Sequence, residues 1–216
     1  MSVLLVTGTD TGVGKTFVAC ALAHALRARG RRVGVVKPVE TGVEDGPEDA
    51  RRLAAAAQDA APLDDVCPYR LRAPLAPSVA AAREGVTIDV GAIVALIARR
   101  ARSVDVLLIE GAGGLLVPIT DATTYLDLAH RLQAPLLVVA ANRLGTVNHC
   151  ALTARVAASA GVTVAGFVLS QPSPTTDVSA ETNADTIGRT TGLRCLGVLP
   201  HLARPEDAAA LLTLPA

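Results

Sequence analysis

The fold is decided by the stretch VLLVTGTDTGVGKT at residues 3–16, which an amphipathic helical segment follows directly. A strand, a glycine-rich turn and a helix in this order surround phosphate groups with backbone N–H groups and the positive end of the helix dipole. In such a loop Lys15 would reach the outer phosphates and the Thr16 hydroxyl would bind Mg²⁺. The usual spacing has glycine at Thr9, whereas this chain has it one place earlier, at Gly8. The stretch predicts a nucleotide-binding loop, with a purely structural glycine turn as the alternative.

Apolar runs of strand length alternate with longer helical segments along the rest of the chain, a pattern typical of βαβ units. The predicted strands are Val3–Thr7, Val33–Val36, Val104–Ile109, Leu136–Ala140, Val164–Leu169 and Cys195–Leu199. The predicted helices are Thr16–Ala28, Glu48–Ala57, Asp89–Arg102, Tyr125–Leu132, Thr146–Ala160 and Ser179–Thr191. We therefore expect a single α/β domain over residues 1–216, P-loop NTPase-like, with a mostly parallel sheet and helices on both faces. The proline-bearing segment Pro62–Pro77 is expected to be an irregular surface excursion.

The composition fits one globular core and argues against several other classes of protein. Half of the 216 residues are hydrophobic and 20 basic side chains balance 20 acidic ones, so neither a disordered chain nor a nucleic-acid-binding surface is expected. The longest apolar runs, Phe17–Ala23 and Ala92–Ala98, have seven residues each, whereas a bilayer span needs about 20. With no signal-peptide pattern at the start, we expect a cytoplasmic protein without a membrane partner. The four separated cysteines are expected to be small core residues.

Lysine is rare in this chain and falls at two suggestive places. Of the 20 basic residues 18 are Arg, and the two lysines are Lys15 in the glycine-rich turn and Lys37 after the second predicted strand. A compact ammonium binds phosphate as a point charge, so two of them could neutralise a doubly charged transition state from two sides. A surface position for Lys37 is the alternative.

Acidic residues follow at positions where a metal ion could bind. Glu110 ends the third predicted strand and precedes the glycine-rich Gly111–Gly114, at the edge where parallel sheets bind ligands. A carboxylate there can hold Mg²⁺ directly or through water, and a solvated strand end is the alternative. Asp49 begins the next helix as an N-cap or first-turn acid, and its position alone does not establish a metal role.

Taken as an ordered set, these motifs resemble the dethiobiotin synthetase family. The resemblance covers nearly the whole chain and is carried by Gly8–Thr16, Lys37–Gly42, Asp49-Ala50, Pro74–Ala81, Glu110–Gly114 with Pro118, and Leu144–His149. It implies that 7,8-diaminopelargonate takes up CO₂ to form a carbamate, which receives the γ-phosphoryl group of ATP. The second amine then closes the ring of dethiobiotin and releases phosphate. Such chemistry asks the protein mainly for positioning and charge neutralisation.

The resemblance also implies a role for individual residues. The catalytic group would comprise Lys37, Lys15 and Thr11, and Mg²⁺ would be held by Thr16, Asp49 and Glu110. The substrate would be bound by Thr41 and by a helix N-terminus that receives its carboxylate across a homodimer interface, formed by Leu144, Gly145, Thr146, Val147 and Asn148. The nucleotide would be bound by Gly12, Val13, Gly14, Lys15, Thr16, Phe17, Asp49, Glu110, Gly111, Ala112, Gly113, Ser170, Gln171, Pro200, His201 and Leu202.

One departure from the family concerns the base. Ser170 stands where the family commonly has an asparagine, and a hydroxyl cannot replace a carboxamide against a purine edge. ATP is the expected nucleotide, and a relaxed or different base preference stays open. His149 is expected to orient its loop rather than act as a general base, because no acid lies near it in sequence.

The same residues argue against two other functions. A synthetase that activates a carboxylate of a cobalt-corrin precursor usually carries a second, glutaminase domain, for which 216 residues leave no room. A ParA/MinD-like nucleotide switch has an extra lysine early in the loop, where this chain has Thr9, Asp10 and Thr11. Its short tail Glu206–Ala216, acidic and then apolar, also does not resemble a membrane anchor.

Overall fold

The structure is a computed structural model that describes residues 2–44, 46–175 and 177–214. Its main strands are β1 (Ser2–Gly8), β2 (Val33–Val36), β5 (Val106–Gly114), β8 (Leu136–Ala141), β9 (Val164–Ser170) and β10 (Cys195–Leu199). They form a parallel sheet in the order β10, β9, β8, β1, β5, β2. Two short pairs accompany it, β3 (Val39–Thr41) with β4 (Tyr69–Leu71) and β6 (Pro118–Thr120) with β7 (Thr123–Thr124). The predicted α/β fold is confirmed.

Several helices begin and end at residues that favour a helix cap. Asp89 caps one helix by accepting from the N–H of Ala92, and Thr124 and Asp127 form a reciprocal capping box at another. Gly85 and Gly192 end two more in the left-handed conformation. The helices are α1 (Lys15–Arg27), α2 (Glu48–Ala57), α3 (Leu63–Val66), α4 (Pro77–Glu84), α5 (Val90–Ala101), α6 (Tyr125–Leu132), α7 (Thr146–Ser159), α8 (Asn183–Thr191) and α9 (Pro205–Ala208).

Helices cover both faces of the sheet because successive strand residues point to opposite sides. Leu4 and Val6 of β1 belong to a core with α1 and α2, whereas Leu5 between them belongs to a core with α5 and α6. A smaller core lies between β8, β9, α7 and α8. Three cysteines are buried as expected, and Cys195 is half-buried. None of the described helices is both long and apolar enough to cross a membrane.

The structure corrects the prediction for Pro62–Pro77 and several element ends. That segment is not irregular: it contains α3 and β4 and leads into α4. Its elements are three or four residues long, too short to show a period, although Val66 and Leu71 are buried. Strand β5 continues through the predicted glycine loop to Gly114, because it pairs with the end of β1. Helix α8 begins at Asn183 rather than Ser179, since residues 178–181 form a separate 3₁₀ turn.

The outer edge of β2 is covered by a buried ion pair. Arg100 of α5 and Asp59 after α2 form this pair, and each side chain is only 8% exposed. The N–H of Val35 donates to Asp59 Oδ2 at 2.9 Å, and the carbonyl of Val35 accepts from Arg100 Nη2 at 3.5 Å. The pair thus satisfies backbone groups that an edge strand would otherwise leave open to another chain.

Candidate active site at the carboxyl edge of the sheet

The phosphate loop follows β1, and its glycines are required by conformation and by crowding. Gly12 and Gly14 have φ values of 73° and 86°, in the left-handed region that favours glycine. At Gly8 a Cβ atom would lie 2.7 Å from the carbonyl oxygen of Asp10 and 3.0 Å from Lys15 Nζ. The early glycine of the loop therefore leaves room for its own backbone and its lysine, which explains the shift from Thr9 to Gly8.

Lys15 begins α1 and turns its ammonium back over the loop. Its Nζ donates to the carbonyl oxygen of Asp10 at 3.1 Å, and the residue is buried. Burial lowers the pKa of Lys15, and the carboxylate of Glu110 offsets this only in part. An anion bound in the loop would act as a further counterion for the Lys15 ammonium and so raise its pKa.

Lys37 and Glu110 lie close together because they follow a pair of residues that face each other on the neighbouring strands β2 and β5. Val36 of β2 pairs with Ile109 of β5, so the next residue on each strand emerges beside the other. Lys37 Nζ forms an ion pair with Glu110 Oε1 and another with Asp49 Oδ2 at 3.0 Å. Burial disfavours the charged form of Lys37, but these two carboxylates outweigh it and raise the pKa of Lys37 above its ordinary value. The structure therefore brings Lys37, Glu110 and Asp49 together.

The oxygens of this cluster suit Mg²⁺. Thr16 Oγ1 donates to Glu110 Oε1 at 2.9 Å, whereas Glu110 Oε2 is buried and has no hydrogen-bond partner among the described residues. Mg²⁺ prefers such hard oxygen ligands and is commonly held by one or two carboxylates together with phosphate and water. Within the described ranges no three His, Cys, Asp or Glu side chains are arranged to hold a metal by themselves. The residues present fit a magnesium ion that the nucleotide helps to bind.

Thr11, Thr41 and Phe17 lie around this cluster in different ways. Thr11 is exposed and lies beside Gly113, where a Cβ atom would be 3.5 Å from its Oγ1. Thr41 ends β3 and is half-buried. Phe17 packs its side chain against the core.

The glycines after Glu110 allow close packing. A Cβ atom at Gly111 would lie 3.2 Å from the ring of the fully buried Tyr125. Gly113 has a φ of 65°, and Ala112 between the two glycines is half-buried. This end of β5 therefore lies with its backbone beside the phosphate loop, and its contact with a ligand stays a prediction.

The N-terminus of α7 is the other predicted anion site. Gly145 precedes the helix with a φ of 92°, and Leu144 before it is 82% exposed. The backbone N–H of Leu144 donates to Asp177 Oδ2 at 2.8 Å. Thr146 is buried with its hydroxyl beside the thiol of Cys150, whereas Val147 is half-buried and Asn148 exposed.

Comparison with known proteins finds relatives that match this chain over most of its length. It matches the model of an AAA domain family over residues 2–208. An ATP-dependent dethiobiotin synthetase BioD of Anaeromyxobacter sp. (strain Fw109-5) is 48% identical over 200 residues, which cover 92% of this chain and 90% of that protein. One of Aromatoleum aromaticum is 42% identical over 215 residues, or 96% and 95%. The chain belongs to the dethiobiotin synthetase family.

A solved structure of a different protein confirms the fold of this dethiobiotin synthetase family member. Chloroplast FtsY from Physcomitrella patens is similar with a TM-score of 0.50 at 19% identity, over 96% of this chain and 64% of that one. At this identity the likeness concerns the fold alone. Together with the family model, it confirms the P-loop NTPase-like prediction.

Ser170, where the dethiobiotin synthetase family commonly has asparagine, turns its hydroxyl to the phosphate loop. The buried Oγ donates to the carbonyl of Val13, and a Cβ atom at Gly14 would lie 2.7 Å from it. Farther out, His201 Nδ1 lies 3.3 Å from the carbonyl oxygen of Gln171. Pro200 is exposed, and Leu202 packs against the core. A base contact by these residues stays a prediction.

Glu40 is the residue of the site that sequence reasoning passed over. Its two carboxylate oxygens accept the backbone N–H groups of Asp49 and Ala50, each at 3.0 Å. The available signal was an acid directly after the apolar Pro38-Val39, within the Lys37–Gly42 motif. Only the fold shows that this acid meets the start of α2.

Proposed function

We propose that this chain is an ATP-dependent dethiobiotin synthetase, which forms dethiobiotin from 7,8-diaminopelargonate, CO₂ and a nucleoside triphosphate in biotin biosynthesis. The observation that carries the proposal is the meeting of both lysines of the chain with Glu110, Asp49 and Thr16 at one edge of the sheet. Its relatives named for this activity support the same assignment.

The proposed reaction relies on charge neutralisation by the two lysines. A carbamate oxygen of the carboxylated substrate attacks the γ-phosphorus, and the nucleoside diphosphate leaves. The second amine then attacks the carbonyl carbon of the mixed anhydride, loses a proton to solvent, and phosphate leaves as the ring closes. Lys15 neutralises the migrating phosphoryl group and Lys37 the carbamate, while Thr11 donates a hydrogen bond beside them.

Magnesium would be held by Thr16, Asp49 and Glu110. When bound, it would supply positive charge that offsets the negative charge of the nucleotide phosphates. The buried and unpartnered Glu110 Oε2 supports this assignment, because an unpaired carboxylate oxygen is costly to bury.

The diamine is proposed to place its carboxylate at the N-terminus of α7. Free N–H groups at a helix start favour an anion, and the buried Thr146 hydroxyl, which lies beside the weakly hydrogen-bonding thiol of Cys150, could donate to it. Thr41 would bind the substrate from the opposite side. The exposed Leu144 fits a site completed by a second copy of the chain, and we propose a homodimer.

The nucleotide is proposed to lie along Gly12–Phe17 and Gly111–Gly113, with its base near Ser170–Gln171 and Pro200–Leu202. ATP is the proposed co-substrate, and the Ser170 hydroxyl leaves the base preference to be measured. We further propose that residues 1–216 act as one domain, in the cytoplasm and on small molecules alone.

The direct test is to mix purified protein with Mg²⁺, bicarbonate, 7,8-diaminopelargonate and each of the four nucleoside triphosphates in turn. Mass spectrometry should detect dethiobiotin, and samples without diamine or without Mg²⁺ are the controls. Product with only one triphosphate would fix the base preference. Folded protein that binds nucleotide but forms no dethiobiotin with any triphosphate would overturn the proposal.

A further inference from the structure

Glu40 connects β3 to the first turn of α2 through a buried carboxylate. Glu40 Oε1 accepts the N–H of Asp49 and Oε2 accepts the N–H of Ala50, both at 3.0 Å. The residue is 6% exposed, so water does not compete strongly for these bonds. The carboxylate is thus committed to two specific N–H groups.

These N–H groups have no cap within their own helix. The N-cap of α2 is Pro47, which offers no side-chain hydrogen bond, and first-turn N–H groups lack carbonyl partners inside any helix. Glu40 supplies from a different element what a local serine or aspartate usually supplies. The first turn of α2 is therefore fixed relative to β3 rather than only to its own loop.

Asp49 lies in that first turn and faces the cluster. Its Oδ2 lies 3.0 Å from Lys37 Nζ, and its side chain is 38% exposed, so it remains open to a ligand. Lys37 stands three residues before Glu40, which means that one short segment provides both the ammonium and the carboxylate that locates Asp49.

We propose that Glu40 is a positioning residue, which holds the backbone of Asp49 so that its carboxylate reaches the magnesium ion and Lys37. This rests on the metal role proposed for Asp49. A glutamine at position 40 could accept only one of the two N–H groups, because its NH₂ group would face the other. Asp49 would then lose its fixed place although its own carboxylate is intact.

The test is a double-mutant cycle with Glu40→Gln, Asp49→Asn and both together, read out by metal binding. Binding of Mn²⁺ to the full chain with a non-hydrolysable ATP analogue is measured from the electron paramagnetic resonance of the free ion. Outer partners of metal ligands usually contribute about tenfold or more in affinity. We expect Glu40→Gln to weaken Mn²⁺ binding about tenfold in the native background and less than about twofold beside Asp49→Asn.

Glu48→Gln is the matched control, since Glu48 lies in the same first turn but pairs with Arg52 on the surface. It should leave Mn²⁺ binding unchanged, and circular dichroism should show that each variant is folded. If Glu40→Gln does not fold, Glu40→Asp replaces it, because its carboxylate is one methylene too short to reach both N–H groups.

The outcomes separate this inference from the proposed function. Equal losses from Glu40→Gln in both backgrounds, or no loss in either, would overturn the positioning role while leaving the metal role of Asp49 intact. Unchanged Mn²⁺ binding by Asp49→Asn alone would overturn the metal role, and the inference with it.

Discussion

At the scale of single residues, Lys37 shows how two carboxylates keep a buried ammonium charged. Two carboxylates neutralise it in the absence of substrate, and they hold the pKa of Lys37 above its ordinary value despite burial. The ammonium thus stays charged across the pH range in which an enzyme works. If a carbamate and a phosphoryl group bind here as proposed, the Lys37 ammonium is already charged and in position to neutralise them.

Lys37→Gln should reduce kcat by about 100-fold or more, because a charge that stabilises the transition state is lost. Nucleotide binding should change by less than about threefold, since the phosphate loop is untouched. Arg52→Gln, which removes an exposed cation, is the control. Initial rates of dethiobiotin formation and nucleotide titration provide the two measurements, and an unchanged kcat would remove Lys37 from the mechanism.

Ser170→Ala should weaken the binding of every nucleoside triphosphate by a similar factor of about five. The reason is that the variant loses a hydrogen bond of about 1 kcal/mol that holds the carbonyl of Val13 in the phosphate loop. The measurement is KM for ATP, GTP, CTP and UTP. A loss confined to one base would instead show that the hydroxyl contacts that base.

At the scale of elements, the site depends on strand ends and helix starts that are fixed by strand pairing and by polar side chains. The pairing of β2 with β5 sets Lys37 beside Glu110, while the loop before α7 is held by Asp177 and by Asn142, whose Oδ1 accepts from Asn183 Nδ2 at 2.9 Å. Hydrogen bonds to the neighbouring Ser179 keep the pKa of Asp177 below its usual range, so it stays an acceptor near neutral pH. These contacts hold elements that are far apart in sequence at fixed positions relative to one another.

Thr146→Val should raise KM for the diamine about tenfold, because the hydroxyl at the start of α7 no longer binds the substrate carboxylate. The free energy of unfolding should change by less than about 1 kcal/mol, since the hydroxyl gives up at most a weak hydrogen bond with the Cys150 thiol. Thr153→Val on the same helix is the control, as its hydroxyl already bonds to the carbonyl of His149. A loss of stability without a change in KM would contradict the assignment.

Arg100→Met should lower the free energy of unfolding by about 3 kcal/mol, because it leaves the carboxylate of Asp59 buried without its partner. Arg99→Met removes the neighbouring pair with Asp65, which is largely exposed, and should cost about 1 kcal/mol or less. Urea denaturation compares the two. Equal losses would mean that the covered edge of β2 contributes no more than a surface ion pair.

At the scale of the whole molecule, alternating apolar runs were sufficient to predict the six-stranded sheet. The loop motif after β1 also predicts the edge of the sheet at which a nucleotide binds, and this stays a prediction. The sequence did not reveal β3 and β4, since three-residue strands show no period. Nor did it reveal Glu40 as the cap of α2, because a contact between two elements leaves no local pattern. For Ser170 the resemblance implied a position near the base, whereas the direction of its hydroxyl toward Val13 depends on where β9 ends.

The burial of both lysines has a consequence for covalent labelling. Arginine provides all the other basic side chains, so the outer surface presents no lysine amine to an acylating reagent. The two amines inside also differ in reactivity: burial favours the neutral, nucleophilic form of Lys15, whereas ion pairs keep Lys37 protonated. Apart from the amino terminus, an amide formed by acylation of the intact chain would therefore report on the surroundings of Lys15.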